Sequence, residues 1–220
     1  MNASIPSLGL VFADKKAEKN ALFRGTTIGF AFNRLGEYNS REKISGLNTT
    51  PGSSITWNWA NEMSEVYNGQ FTNETSVEQV SFNTYNGFYG FLANYDSGVL
   101  DYTSPILDSI NQTRFVEAKG GKDEMLIALG TNYLDKLFIG ASIGVPLLNY
   151  SRESRFIEED AATGDINTFF NDFELKEVYQ TEGIGFNFKL GFLYKVNQWF
   201  RLGTGFQTPE RINLTERYSS

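Results

Sequence analysis

The sequence predicts an all-β fold, an antiparallel up-and-down transmembrane β-barrel present in part, with a short helical insertion in an external loop. Three observations predict it. Residues 183–208 alternate strictly between apolar and small or polar side chains. The strand expected over 137–150 carries one face that is nearly all small. Tight and long connections take turns along the chain, as the two ends of an outer-membrane barrel require. No stretch approaches the roughly 20 apolar residues of a spanning helix, which excludes helical spanning. The mean hydropathy of −0.32 does not exclude a barrel, whose strands average lipid-facing apolar with lumen-facing polar positions.

Composition narrows the chemistry. The 220 residues suit one domain, 1–220, and contain no Cys and no His. Disulfide frameworks, thiol nucleophiles, Ser-His-Asp triads and His/Cys zinc sites are therefore excluded. With 19 basic against 26 acidic residues the net charge is −7, so nucleic acid is not an expected partner. Neither an enzyme activity nor a cofactor or metal is expected. The start, Met1-Asn2-Ala3-Ser4-Ile5-Pro6, has no basic or apolar export segment, so the protein either stays in the cytoplasm or has lost its signal.

In chain order, residues 7–13 and 26–34 read as strands, the second with Ile28, Phe30 and Phe32 on one parity, joined through the charged stretch 14–19. Residues 35–111 break the pattern and read as a long external loop region. Within it Ser53 or Ser54 can cap a short helix over 55–67, which carries Trp59, Met63, Val66 and Tyr67 at helical spacing. A hairpin follows: 125–133, a turn at Leu134-Asp135-Lys136, then 137–150 with Ile139, Ala141, Ile143, Val145 and Leu147 opposite Phe138, Gly140, Ser142 and Gly144. Residues 151–172, with Glu158-Glu159-Asp160 and the turn Thr163-Gly164-Asp165, read as a second external loop. The last hairpin puts Ile184, Phe186, Phe188, Leu190, Phe192 and Tyr194 on one face, turns at Val196-Asn197-Gln198, and returns with Phe200, Leu202, Thr204 and Phe206. Its first strand, at about 3.3 Å per residue, is long enough to cross a bilayer. Tyr194, Trp199 and Phe200 gather at the tight-turn end, where an interfacial girdle belongs; cross-strand aromatic packing in a soluble sheet is the alternative.

This last hairpin, residues 182–196 and 199–209, closely resembles the corresponding hairpin of the FadL/TodX outer-membrane transport family through Gly183, Gly185, Asn187, Gly191, Leu193-Tyr194-Lys195, Trp199, Arg201-Leu202-Gly203 and Pro209. Two further stretches, 5–12 and 129–140, look similar to that family. Thr208 stands where the family pattern has Ser before Pro209. The resemblance implies a fragment covering roughly the first six of fourteen barrel strands, with the N-terminal hatch and C-terminal strands absent. It also implies residence in the outer membrane, contact with its lipid, and passive passage of hydrophobic small molecules such as long-chain fatty acids. Some members of the wider family instead serve as barrel partners of a protein secretion system. A soluble β-barrel binding an apolar ligand internally is the third reading.

Candidate ligand-binding residues follow from these placements. Lys189 and Arg201 fall on the lumen parity of neighbouring strands, where a cation could meet a fatty-acid carboxylate or pair with a nearby acid. Trp59, Phe82, Phe88, Tyr89 and Phe91 belong to an aromatic stretch that either captures hydrophobic ligands or packs on itself. Glu158, Glu159, Asp160 and Asp165 lack the EF-hand pattern of a Ca2+ site and read as a solvated loop. Sequons at Asn48, Asn73 and Asn111 read as chance matches, Gly183 and Gly185 lead into a strand and not a nucleotide-binding helix, and nothing fixes Glu174 and Glu177 as an acid/base pair.

Overall fold

Long antiparallel strands dominate the chain. The structure is a computed structural model describing residues 6–15, 21–68, 70, 79–162 and 170–220. Its elements are β1 (Ser7–Lys15), β2 (Phe23–Glu37), β3 (Ser40–Asn48), α1 (Ile55–Tyr67), α2 (Phe82–Tyr89), β4 (Asn94–Asp96), β5 (Asp101–Thr103), β6 (Ile110–Tyr133), β7 (Leu137–Asp160), β8 (Asp172–Lys195), β9 (Arg201–Gln207) and β10 (Arg211–Ser219). The main sheet runs β1-β2-β6-β7-β8-β10, with β3 also on β6 and β9 also on β8; β4 and β5 form a separate pair. This sheet is open. Mostly antiparallel β-structure with few helices is the fold, and the described residues do not close it into a barrel.

Contacts divide the chain into two units. The first comprises Met1–Ser40, Ala118–Arg152 and Tyr179–Arg217, and the second Arg41–Glu117, Glu153–Val178 and Tyr218–Ser220.

In the first unit, register fixes which side chains share a face. Leu8, Leu10 and Phe12 of β1 stand opposite Phe32, Phe30 and Ile28 of β2. Those three stand in turn opposite Met125, Ile127 and Leu129 of β6. On β8 and β9, Leu190 pairs with Phe206 and Tyr194 with Leu202. Because successive residues point to opposite sides of a strand, these bulky residues line one side. That side is uncovered: Leu10 is 63% exposed, Ile127 54%, Phe186 59% and Phe206 63%. The β6–β7 turn is tight because Leu134 and Asp135 both take left-handed φ of 53°, as a type I′ turn demands, with Lys136 N–H donating to the Tyr133 carbonyl at 3.1 Å.

The second unit has a core of its own. Trp59, Ala60, Met63, Ala93 and Tyr102 are buried, with Phe88, Leu92, Tyr95 and Phe173 packed against them. Helix α1 has the expected bounds, 55–67, and Ser54 caps it by accepting from Thr56 N–H. Helix α2 crosses close by: a Cβ at Gly87 would collide with the Trp59 indole. Glu158 corrects the loop expected over 151–172, since residues 151–160 continue β7 and its side chain is fully buried. Its carboxylate accepts from Ile55 N–H at 3.2 Å, from the Ser54 hydroxyl and from the Gln112 amide at 2.7 Å, which places a negative charge at the N-terminus of α1. The turn expected at Thr163-Gly164-Asp165, the linker residues 16–19 and the Asn73 sequon lie outside the described residues.

Glu62 ties the two helices together. It accepts from Ser81 N–H at 2.5 Å, from the Ser81 hydroxyl at 2.8 Å and from the Thr84 hydroxyl. Burial pushes its carboxyl up, but these donors outweigh burial and hold its pKa below the ordinary 4.5. A carboxyl depressed in the folded state stabilises it above the unfolded pKa, and that contribution is lost as pH falls through the folded value. Hydrogen-exchange protection of residues 81–89 is therefore expected to hold at neutral pH and to decline below pH 4.5. Glu62→Gln should have weaker protection with no such decline.

Candidate functional site

The side of the first unit opposite the bulky stripe carries mostly small and polar residues, with Leu126, Phe138 and Leu193 among them. Ala31 faces Leu126, Gly29 faces Ala128 and Thr27 faces Gly130 across β2 and β6. Gly191 faces Gly205 across β8 and β9. Where glycine and alanine stand, this surface is hollowed into two open recesses. One, of about 760 Å3, lies toward the tight turns and is bordered by Arg24, Thr27, Asn132, Asp135, Gly140 and Gly203. The other, of about 510 Å3, is bordered by Ala128, Ser142, Lys189, Gly191, Gly205 and Gln207.

A polar cluster stands on the same surface. Glu124 rises from β6, and Asn187 and Lys189 from β8, with β7 between them. They can meet because β7 places Gly144 beneath them: a Cβ there would come within 2.5 Å of Glu124 Oε1 and 2.7 Å of Asn187 Oδ1. Lys189 Nζ donates to Glu124 Oε1 at 2.9 Å and Oε2 at 2.8 Å, and Asn187 Nδ2 donates to Oε1 at 2.7 Å. Glu124 is 3% exposed and Asn187 2%. Nearby on β6, Lys122 Nζ donates to Glu210 Oε2 at 2.5 Å; Glu210 lies in the break between β9 and β10. A buried carboxylate held by an amide and an ammonium satisfies the rule that buried charge must be paired and hydrogen-bonded.

The structure places each expected site residue. Lys189 is on the recessed face and ion-paired with Glu124. Arg201 is exposed on β9, opposite Lys195, six register positions from the Lys189–Gln207 pair and so about 20 Å along the strand. The two cations do not converge. Trp59 is buried in the second unit's core and packs on Phe173, with ring centroids 5.7 Å apart. Phe88 is half-buried against that core and stacks edgewise on Tyr89. Phe82 packs on Tyr218, while Phe91, at a left-handed φ of 58°, is the most exposed of the five.

Sequence reasoning missed Glu124, Asn187 and Gly144 as a group, because alternation marks a face but does not reveal which residues meet across an intervening strand. The signals available were Asn187, two positions from Lys189 in an otherwise aromatic and glycine run, and Gly144 among small neighbours. Glu174 pairs with Arg155, and Glu177 accepts from the Tyr218 hydroxyl at 2.8 Å. Asn48 donates its amide to Gln112 at 3.3 Å. Among the described residues no three acidic side chains gather closely enough to hold a metal ion. The surface offers pairing, polarity and space. No family model, curated protein or solved structure matches the chain.

If the cluster depends on the gap above β7, Gly144→Val should force Glu124 and Asn187 apart. A loss of about 1 to 3 kcal/mol is expected, the range for an overpacked site, measurable as a lowered urea midpoint with an unchanged slope.

Proposed function

We propose that the first unit is a stretch of outer-membrane β-barrel wall and that the protein is a passive channel for hydrophobic small molecules, as its resemblance to the FadL/TodX family implies. No bond is made or broken, and no cofactor takes part. The observation that carries this reading is the uncovered apolar face. Bulky residues stand exposed on β1, β2, β6, β8 and β9 alike, forming a continuous patch far beyond the few hundred square ångströms usual for a soluble monomer.

The height of that face fits a bilayer. On β8 the apolar parity runs from Ile184 to Tyr194, ten steps or about 33 Å along the strand, which a tilt of about 40° reduces to about 25 Å. Charge bounds one end: Glu182 precedes Ile184 on the same parity, and Arg34 pairs with its register partner Asp123 at 2.8 Å. Aromatics bound the other, where Phe23 packs edgewise on Tyr133 with centroids 5.5 Å apart and Trp199 is 94% exposed. A soluble barrel with an internal apolar ligand would need the bulky residues on the recessed side, and here they lie opposite it.

Phe188 sits near the middle of the apolar parity. Phe188→Arg should impair assembly into outer membranes at a cost of about 2 to 4 kcal/mol, read as loss of the heat-modifiable folded band on gels of membrane fractions. Gln207→Arg, on the recessed side, should assemble normally; equal assembly of both variants would contradict the proposal.

A further inference from the structure

The recessed wall has cations at mid-height, yet each is already taken. Lys189 reaches both carboxylate oxygens of Glu124 within 3 Å, and Lys122 reaches Glu210 at 2.5 Å. Beside that pair Asn187 Oδ1 is buried and accepts no hydrogen bond, so the cluster also presents an unpaired acceptor. An arriving carboxylate would meet paired ammonium groups, a buried carboxylate and an amide oxygen. To take Lys189 as its own ion-pair partner it would have to compete with Glu124 and leave that 3%-exposed acid without its cation. A neutral chain or ring could lie on the apolar part of the same recess, against Ala128, Gly140, Gly191 and Gly205, without taking Lys189 from its acid. Arg201 and Lys195 are positive, but they stand about 20 Å away at the water-exposed turn end and do not serve the mid-wall recess.

We infer that the molecule this wall admits is uncharged, and that Glu124, by occupying Lys189, is the residue that sets this preference against carboxylates. The inference rests on the channel reading and sharpens it, since fatty-acid anions and neutral hydrocarbons or alcohols are otherwise equally hydrophobic cargo. Glu124 acts through Lys189 and is a positioning residue. Gly144 is part of the device, because only a residue without a side chain lets the pair close over β7.

The test uses the full chain assembled in liposomes, with insertion verified first by heat modifiability. Radiolabelled 1-dodecanol and dodecanoate, of equal chain length, are equilibrated by dialysis at pH 8 between these and protein-free liposomes of the same lipid. The protein-dependent excess is the readout. Wild-type protein should retain dodecanol over dodecanoate by about tenfold, the discrimination expected of one charge-assisted contact. Glu124→Gln should raise dodecanoate retention about tenfold and leave dodecanol unchanged. The double variant E124Q/K189M, lacking both charges, should return to wild-type selectivity. Wild-type retention of dodecanoate equal to that of dodecanol overturns the inference, and this comparison needs no variant to fold. So does an inserted Glu124→Gln protein with unaltered selectivity, or an inserted wild type that retains neither compound. A wild-type chain that does not insert overturns the channel reading instead.

Discussion

A sheet side on which phenylalanines and leucines stand uncovered is the constraint from which the rest of this molecule follows. Each large apolar side chain left in water instead of an apolar medium costs about 1.5 to 3 kcal/mol. A face of them from β1 through β9 would offset the few kcal/mol that keep a domain folded. Hydrocarbon over that face, as the proposed channel would have it, would remove the cost. The same period of two then sets the opposite side: glycine, alanine and polar residues predominate there, and the space so left allows Glu124 and Lys189 to meet above Gly144.

The second unit is held by different means. Trp59 and Tyr102 are packed inward, with Trp59 under Gly87 and Met63 fully buried. Its polar interior is organised by carboxylates that accept several donors each: Glu158 at the start of α1 and Glu62 between α1 and α2. In this core, as in globular interiors generally, buried polar groups are hydrogen-bonded. Surface pairs such as Arg155 with Glu174 add little, since exposed ion pairs contribute only about 0 to 1 kcal/mol.

Much of the first unit was legible in the sequence because alternation is a local signal. The Ile28-Phe30-Phe32 stripe, the turn at residues 134–136 and the Lys189-to-Gln207 hairpin all rest on neighbours two residues apart, and the structure has them as expected. Helix α1 was legible too, through its Ser54 cap and the spacing of Trp59 and Met63. Helix α2 was not, because Phe82-Asn83-Thr84-Tyr85-Asn86-Gly87-Phe88-Tyr89 is rich in weak helix formers and owes its shape to packing on Trp59. The extension of β7 to Asp160 was hidden by charge: Glu158, Glu159 and Asp160 read as loop, although Glu158 is buried by partners more than 40 residues away. The pairing of Lys189 with Glu124 was one of two stated possibilities for that lysine, and choosing between them required the strand order.

The most direct measurement of sidedness is a spin-label scan of residues 183–195 in the membrane-reconstituted protein, comparing collisions with oxygen, which concentrates in hydrocarbon, and with a water-soluble nickel chelate. The account predicts a two-residue rhythm, with oxygen favoured at 184, 186, 188, 190, 192 and 194 and nickel at the odd positions between them. Flat profiles, or oxygen-favoured odd positions, would contradict it.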